Sequence, residues 1–192
     1  MQKRAVFLDK DGTLVRDVPY NVDPARIELM PGAPKALAAF AAAGFELVVV
    51  SNQSGVARGL FEESALAAVE QRLTELLAPV RLAGFYWCPH HPEGTRSRYA
   101  MDCLCRKPRP GLLLRAAAQH AIDLRASWFI GDILNDVEAG RRAGCRTILL
   151  DNGHESEWQL SPIRTPHITV ADWATAASAI LATESLRLER EG

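Results

Sequence analysis

A chain of 192 residues, 48% hydrophobic and 23% charged, is long enough for one sizeable buried core. Its formal net charge of -1 gives no electrostatic reason to bind nucleic acid or an anionic membrane, and no apolar run approaches the length of a membrane span. The apolar run behind Met1-Gln2-Lys3-Arg4 covers only residues 5–8, too short for a secretory core, so the four cysteines point to a reducing cytoplasm rather than a disulfide framework.

Taken in order, strand-like runs fall at 5–8, 45–50, 84–87, 128–130 and 147–150, and helical patterns at 34–43, 62–77, 111–120 and 135–143. The runs are near-continuous Val, Ile, Leu and Phe without polar alternation, as expected for parallel strands buried on both faces. That predicts a doubly wound, mainly parallel α/β sheet. Gly44 and Gly144 each sit between a helical pattern and a strand, suited to a left-handed helix end. The chain closes on a helix from about 172 to 188 that becomes charged at 189–191 and frays. With no linker and no repeat, 1–192 reads as one domain, expected to be a monomer.

The first strand runs into Asp9-Lys10-Asp11-Gly12-Thr13. In extended chain, residues two apart point to one side, so Asp9 and Asp11 can face one small ligand at the carboxyl end of a strand, where open α/β sheets bind. Standing alone, the pair could be turn-forming acids. After the second strand comes Ser51-Asn52-Gln53-Ser54-Gly55, whose hydroxyl and amides can hold phosphate oxygens or simply start a helix. Arg106-Lys107 precedes the helix at 111–120 and is either a phosphate grip or a solvated basic turn. After the fourth strand, Gly131-Asp132 is followed by Asp136; one helical turn apart, the two acids could share a metal, or Asp132 could cap the helix. Together the four aspartates would repel a phosphate unless a cation intervenes, and an all-oxygen donor set favours Mg2+.

The order acid pair, Ser, Lys, acid pair at successive strand ends resembles the haloacid dehalogenase superfamily of phosphohydrolases, over residues 4–150. The resemblance implies that Asp9 is a nucleophile forming an aspartyl-phosphate and that Asp11 protonates the leaving alkoxide and then activates water. It further implies that Ser51 and Lys107 stabilise the transferring phosphoryl group. Mg2+ would be held by the Asp9 carboxylate, the Asp11 carbonyl and Asp132, with Asp136 in support. A receiver-type module that keeps its phosphate, or a scaffold without turnover, are the competing classes.

A second constellation opens on Cys88-Pro89-His90-His91, and twelve residues separate His90 from Cys103-Leu104-Cys105. Three thiolates and one imidazole suit a closed tetrahedral Zn2+ site that would staple the irregular loop 88–105, with His91 the alternative to His90. Cys145 reads as a small buried residue. With this loop, the resemblance narrows to the zinc-loop phosphatases acting on D-glycero-D-manno-heptose 1,7-bisphosphate at its 7-phosphate, or on histidinol phosphate and other small sugar phosphates. It carries substrate contacts onto Asp17, Tyr20, Ser51, Asn52, Gln53, Ser54, Arg58, Arg106 and Lys107. Where the heptose enzymes generally carry Lys after the metal-binding aspartate, this chain has Ile133. The spacings between motifs leave no room for a cap domain.

Overall fold

The structure, a computed structural model, describes residues 2–191, the side chains at 187, 188, 190 and 191 excepted. Its centre is a six-stranded sheet in the order β3-β2-β1-β4-β5-β6. The strands are β1 (Arg4–Leu8), β2 (Phe45–Asn52), β3 (Gly84–Cys88), β4 (Trp128–Gly131), β5 (Arg146–Leu150) and β6 (Ile168–Val170). Every adjacent pair is parallel. Five helices connect or follow them: α1 (Ala33–Ala42), α2 (Leu66–Leu77), α3 (Gly111–His120), α4 (Leu134–Ala143) and α5 (Trp173–Glu191).

The side-chain period of two sorts the strands into two cores. From β1, Val6 and Leu8 face one layer together with Leu37 and Phe40 of α1, Leu73 of α2 and Trp173 of α5. Ala5 and Phe7 face the opposite layer with Leu112, Leu113 and Ala116 of α3 and Ala139 of α4. Both faces are therefore covered, which is why the strands tolerate no polar alternation. The five expected strands and the internal helices are all present. The pattern at 62–77 resolves into a 3-10 turn, Glu63–Ala65, followed by α2. Gly44 and Gly144 follow α1 and α4 with φ of 82° and 93°. The sixth strand was not anticipated, because Ile168-Thr169-Val170 is three residues long and lies behind an irregular stretch. The expected closing helix is α5; Gly192 lies outside the described residues.

The chain order reverses between β1 and β4, which lie side by side although sequence carries one outward to β2 and the other to β5. A crevice at such a reversal, outside the carboxyl ends of the strands, is where open parallel sheets hold ligands. Asp9 leaves β1 and Asp132 leaves β4 at that point. Among the described residues no further domain is inserted over the crevice, and no helix is long and apolar enough to cross a membrane.

Trp173 joins the last helix to the first motif: it is 1% exposed, and its indole Nε1 donates to the Thr13 carbonyl at 3.1 Å. Trp173→Ala should therefore cost about 3–5 kcal/mol of unfolding free energy by denaturant titration. A loss below about 1 kcal/mol would mean that α5 is not part of the cooperative core.

Candidate active site

The strand ends bring Asp9, Asp132 and Asp136 together, with one carboxylate oxygen of each within 4.8 Å of the others. All three are nearly inaccessible to solvent. Gly131 permits the approach of α4, since a Cβ there would lie 2.2 Å from that of Asp136. Asp132 sits ahead of the helix rather than in it. The N-cap is Ile133, and its N–H donates to the Asp136 carboxylate at 3.3 Å, so Asp136 and not Asp132 does the capping. Both Asp132 oxygens are used: Thr13 Oγ1 donates to one at 3.1 Å and His154 Nδ1 lies 2.6 Å from the other.

Lys107, 2% exposed, reaches in from the segment before α3 and lies between carboxylates. It pairs with Asp9, contacts Asp136 at 2.6 Å and donates to the Val50 carbonyl at 3.1 Å. Burial pulls its pKa down, but Asp136 and Asp9 outweigh that and hold it above the usual lysine value. Its backbone is fixed as well, because the Asn52 side chain accepts from Lys107 N at 3.0 Å and donates to Lys107 O at 3.2 Å. Asn52 thus spends its amide on positioning the lysine.

Asp11 is the more accessible acid. The Lys10 ammonium pairs with one of its oxygens, and Gln53 Nε2 donates to the other at 3.0 Å while also donating to Ser51 Oγ at 2.7 Å. Gln53 therefore ties Ser51 to Asp11. Four carboxylates meet only two ammonium groups, and burial shows the imbalance. Asp9 is raised to about 7 by desolvation, against the pull of Lys107 and with repulsion from Asp136 and Asp11. Asp132 is raised to about 6 by desolvation and then by Asp9, and Asp136 is raised chiefly by desolvation. A hard divalent cation bound by carboxylate oxygens is what this donor set and charge excess fit.

These groups open on a cavity of about 450 Å³ lined by Asp9, Asp11, Ser51, Lys107, Asp132 and His154, with Ile133 as an apolar wall. A smaller cavity of about 250 Å³ adjoins it through Asp11, Asp17 and Asn52 and adds Tyr20, Gln53 and Ser54. Arg58 and Arg106 line neither. Arg58 Nη2 lies 3.1 Å from His91 Nε2, and Arg106 donates to the His90 carbonyl at 3.4 Å, so both turn toward the loop at 88–105. A larger cavity, about 1040 Å³, runs along the outer edge of β3 and holds none of the four aspartates.

Cys88, His90, Cys103 and Cys105 form the second cluster. Sulfur separations run from 3.1 to 3.5 Å, and His90 Nδ1 lies 3.3 Å from Cys105 and 3.6 Å from Cys88. Four donors packed this closely surround a point that one tetrahedral ion would fill. The Cys105 thiol is lowered to about 5, chiefly by the Cys88 hydrogen bond, while Cys88 is raised by the same contact. His91 stands apart, its ring engaged by Arg58 and by the Glu93 N–H. Cys145 is buried at 3% exposure, outside the cluster.

Residues 104–176 match the family described as HAD-hydrolase-like. The chain is 42% identical over 154 residues to the D-glycero-beta-D-manno-heptose-1,7-bisphosphate 7-phosphatase of Pasteurella multocida, covering 79% of this chain and 83% of that one. With the enzyme of that name from Escherichia coli K12 the identity is 39% over 172 residues, 88% of this chain and 86% of that one. Among solved structures, the D,D-heptose 1,7-bisphosphate phosphatase of B. bronchiseptica, complexed with magnesium and phosphate, superposes with a TM-score of 0.74 at 30% identity. The match covers 94% of this chain and 99% of that one.

The buried acids make stability pH-dependent in a definite direction. Asp9 and Asp132 bind protons more tightly folded than unfolded, their ordinary value being 3.8, so stability is fullest at acid pH and is lost as pH rises through about 6 and 7. In the presence of chelator, the denaturation midpoint of wild type minus that of Asp132→Asn should fall from about pH 5 to about pH 7.5. A difference that rises over this range contradicts the assignment.

Proposed function

Because the chain belongs to the HAD-like hydrolases and is a phosphatase, we propose that it is a Mg2+-dependent phosphomonoesterase working through a phosphoryl group on Asp9. The observation that carries this reading is the placement of Asp9 beside buried Lys107 with Asp11 two residues on, at the sheet's reversal point. Asp9, the Asp11 carbonyl and Asp132 would hold the cation, with Asp136 behind them, and bound there it would neutralise phosphate charge and keep Asp9 ionised.

Asp9 attacks phosphorus in line, so that a bond from its carboxylate oxygen forms as the bond to the leaving oxygen breaks. Asp11 gives its proton to that leaving alkoxide, a contribution worth roughly 10²–10⁴-fold. In the second half-reaction Asp11 takes a proton from water. The water oxygen bonds to phosphorus and releases Asp9 with inorganic phosphate. Ser51 and Lys107 hold the equatorial oxygens, since phosphoryl transfer asks for positioning and charge compensation above all. Gln53 keeps Ser51 and Asp11 in register.

The relatives' names favour the 7-phosphate of D-glycero-D-manno-heptose 1,7-bisphosphate as substrate. Asp17, Tyr20 and Ser54 around the smaller cavity, with Arg58 and Arg106 from the rim, are the proposed sugar and second-phosphate contacts. Ile133 argues for keeping histidinol phosphate as the second reading, because an apolar wall offers nothing to a second phosphate. Cys88, His90, Cys103 and Cys105 would hold a structural Zn2+.

Phosphate release across heptose 1,7-bisphosphate, fructose 1,6-bisphosphate, histidinol phosphate and phenyl phosphate tests the reading. Heptose bisphosphate should have the highest kcat/KM, and histidinol phosphate in first place would transfer the assignment to it. Asp9→Asn should lose activity by at least about 10³-fold with the fold kept; substantial turnover by that variant would sink the mechanism. Elemental analysis should give about one zinc per chain, and its removal should lower Tm. A metal-free protein of unchanged Tm would refute the staple.

A further inference from the structure

The reading above leaves unassigned the one aromatic base in the catalytic cavity, His154. It follows β5 in Asp151-Asn152-Gly153-His154-Glu155, a segment fastened on both sides of the histidine. Before it, Asp151 N donates to Val170 O at 2.8 Å and the Asn152 side chain donates to Gly12 O at 2.6 Å. After it, the Glu155 carboxylate accepts from Leu134 N at 2.6 Å, in the first turn of α4, and from Glu157 N at 2.9 Å. The imidazole itself rests against Gly12. With φ at 82°, Gly12 takes a conformation that L side chains rarely adopt, and an added Cβ would lie 2.4 Å from His154 Nδ1 and 2.1 Å from the Asp132 carboxylate. A residue held from three directions is a placed residue, although it lies on a loop.

The ring's hydrogen-bonding capacity follows from the contact it makes. An ionised carboxylate only accepts, so Nδ1, at 2.6 Å from Asp132, carries the proton and donates. Nε2, on the far side of the ring from Asp132, makes no hydrogen bond among the described residues. The ring is 37% exposed and lines the cavity. Of the neighbouring side chains, Asn52 is taken by the Lys107 backbone and Gln53 by Ser51 and Asp11, while Lys107 and Ser51 are assigned to the phosphate. Ile133 beside it offers no hydrogen bond. That leaves His154 Nε2 and Asp17 for the rest of the substrate, and a hydroxyl, which can both donate and accept, pairs with the imidazole nitrogen in either role.

We propose that His154, anchored on Asp132, is a specificity-determining residue that hydrogen-bonds a hydroxyl of a polyol phosphate close to the phosphate being removed. This rests on the phosphatase reading and adds the chemical class of the leaving group: an alcohol carrying further hydroxyls, in preference to a bare aryl or alkyl chain.

The test compares kcat/KM of wild type, His154→Ala and His154→Gln on heptose 1,7-bisphosphate, or on fructose 1,6-bisphosphate if that is the better substrate, and on phenyl phosphate. His154→Ala should lose about tenfold on the sugar phosphate, mainly through KM, and several-fold less on phenyl phosphate, the size expected of one hydrogen bond. His154→Gln, whose amide can both donate and accept, should recover part of the loss. Calorimetric titration of the sugar phosphate into Asp9→Asn, with and without His154→Ala, should show the same weakening in Kd without turnover. Equal losses on both substrates, or a fall in kcat with Kd unchanged, overturn the proposal by showing that His154 acts only through Asp132. Wild-type protein that hydrolyses neither these compounds nor histidinol phosphate takes down the phosphatase reading beneath it as well.

Discussion

The site depends on one buried cation. Lys107 lies between Asp9 and Asp136 with almost no solvent, and each carboxylate needs it as much as it needs them. Buried charges are tolerable only when paired and hydrogen-bonded, and removal of one partner from such a group leaves an uncompensated charge that costs several kcal/mol. Asn52 therefore grips the Lys107 backbone from both sides, and Asp136 is aimed by the Ile133 N–H at the start of α4. Strands β1, β2 and β4, the segment before α3 and the first turn of α4 are tied together through this ammonium group.

Even so, the balance is incomplete. Lys107 and Lys10 meet four aspartates, and burial lifts Asp9 and Asp132 well above the ordinary carboxylate range. A divalent cation bound among these carboxylates would offset that excess, and the sheet supplies the frame that holds them together. The cluster of three cysteines and His90 lies at the carboxyl end of β3, with Arg106 donating to the His90 carbonyl. Strand ends hold the charged groups, while residues of the loops after β1, β2 and β5 line the adjoining cavities.

Much of this was legible in the chain because it is locally encoded. Unbroken apolar runs mark parallel strands, and acids or a lysine immediately behind them mark the carboxyl edge. The cysteine spacing declares its own cluster, and the structure groups His90 with it and leaves His91 to Arg58. What escaped were relations between distant segments. Lys10, between the two motif acids, turns its ammonium back to Asp11, and Gln53 joins Asp11 to Ser51 across two strands. Thr13 and His154 meet on Asp132 from 119 and 22 residues away. The alternative in which Asp132 caps the helix does not hold, because Asp136, in the first turn of α4, reaches the N-cap N–H itself. No spacing rule announces His154; the nearest signal is a polar Asn-Gly-His segment directly behind an apolar strand.

The central claim is that a covalent bond to Asp9 carries the phosphoryl group. It is tested most directly in Asp11→Asn, given an aryl phosphate whose leaving group needs no proton, so that the first step proceeds and the second stalls. Rapid acid quench followed by peptide mass spectrometry should find a phosphoryl group on Asp9, formed before free phosphate accumulates. Phosphate release without any adduct on Asp9, or an adduct on another residue, would contradict the account.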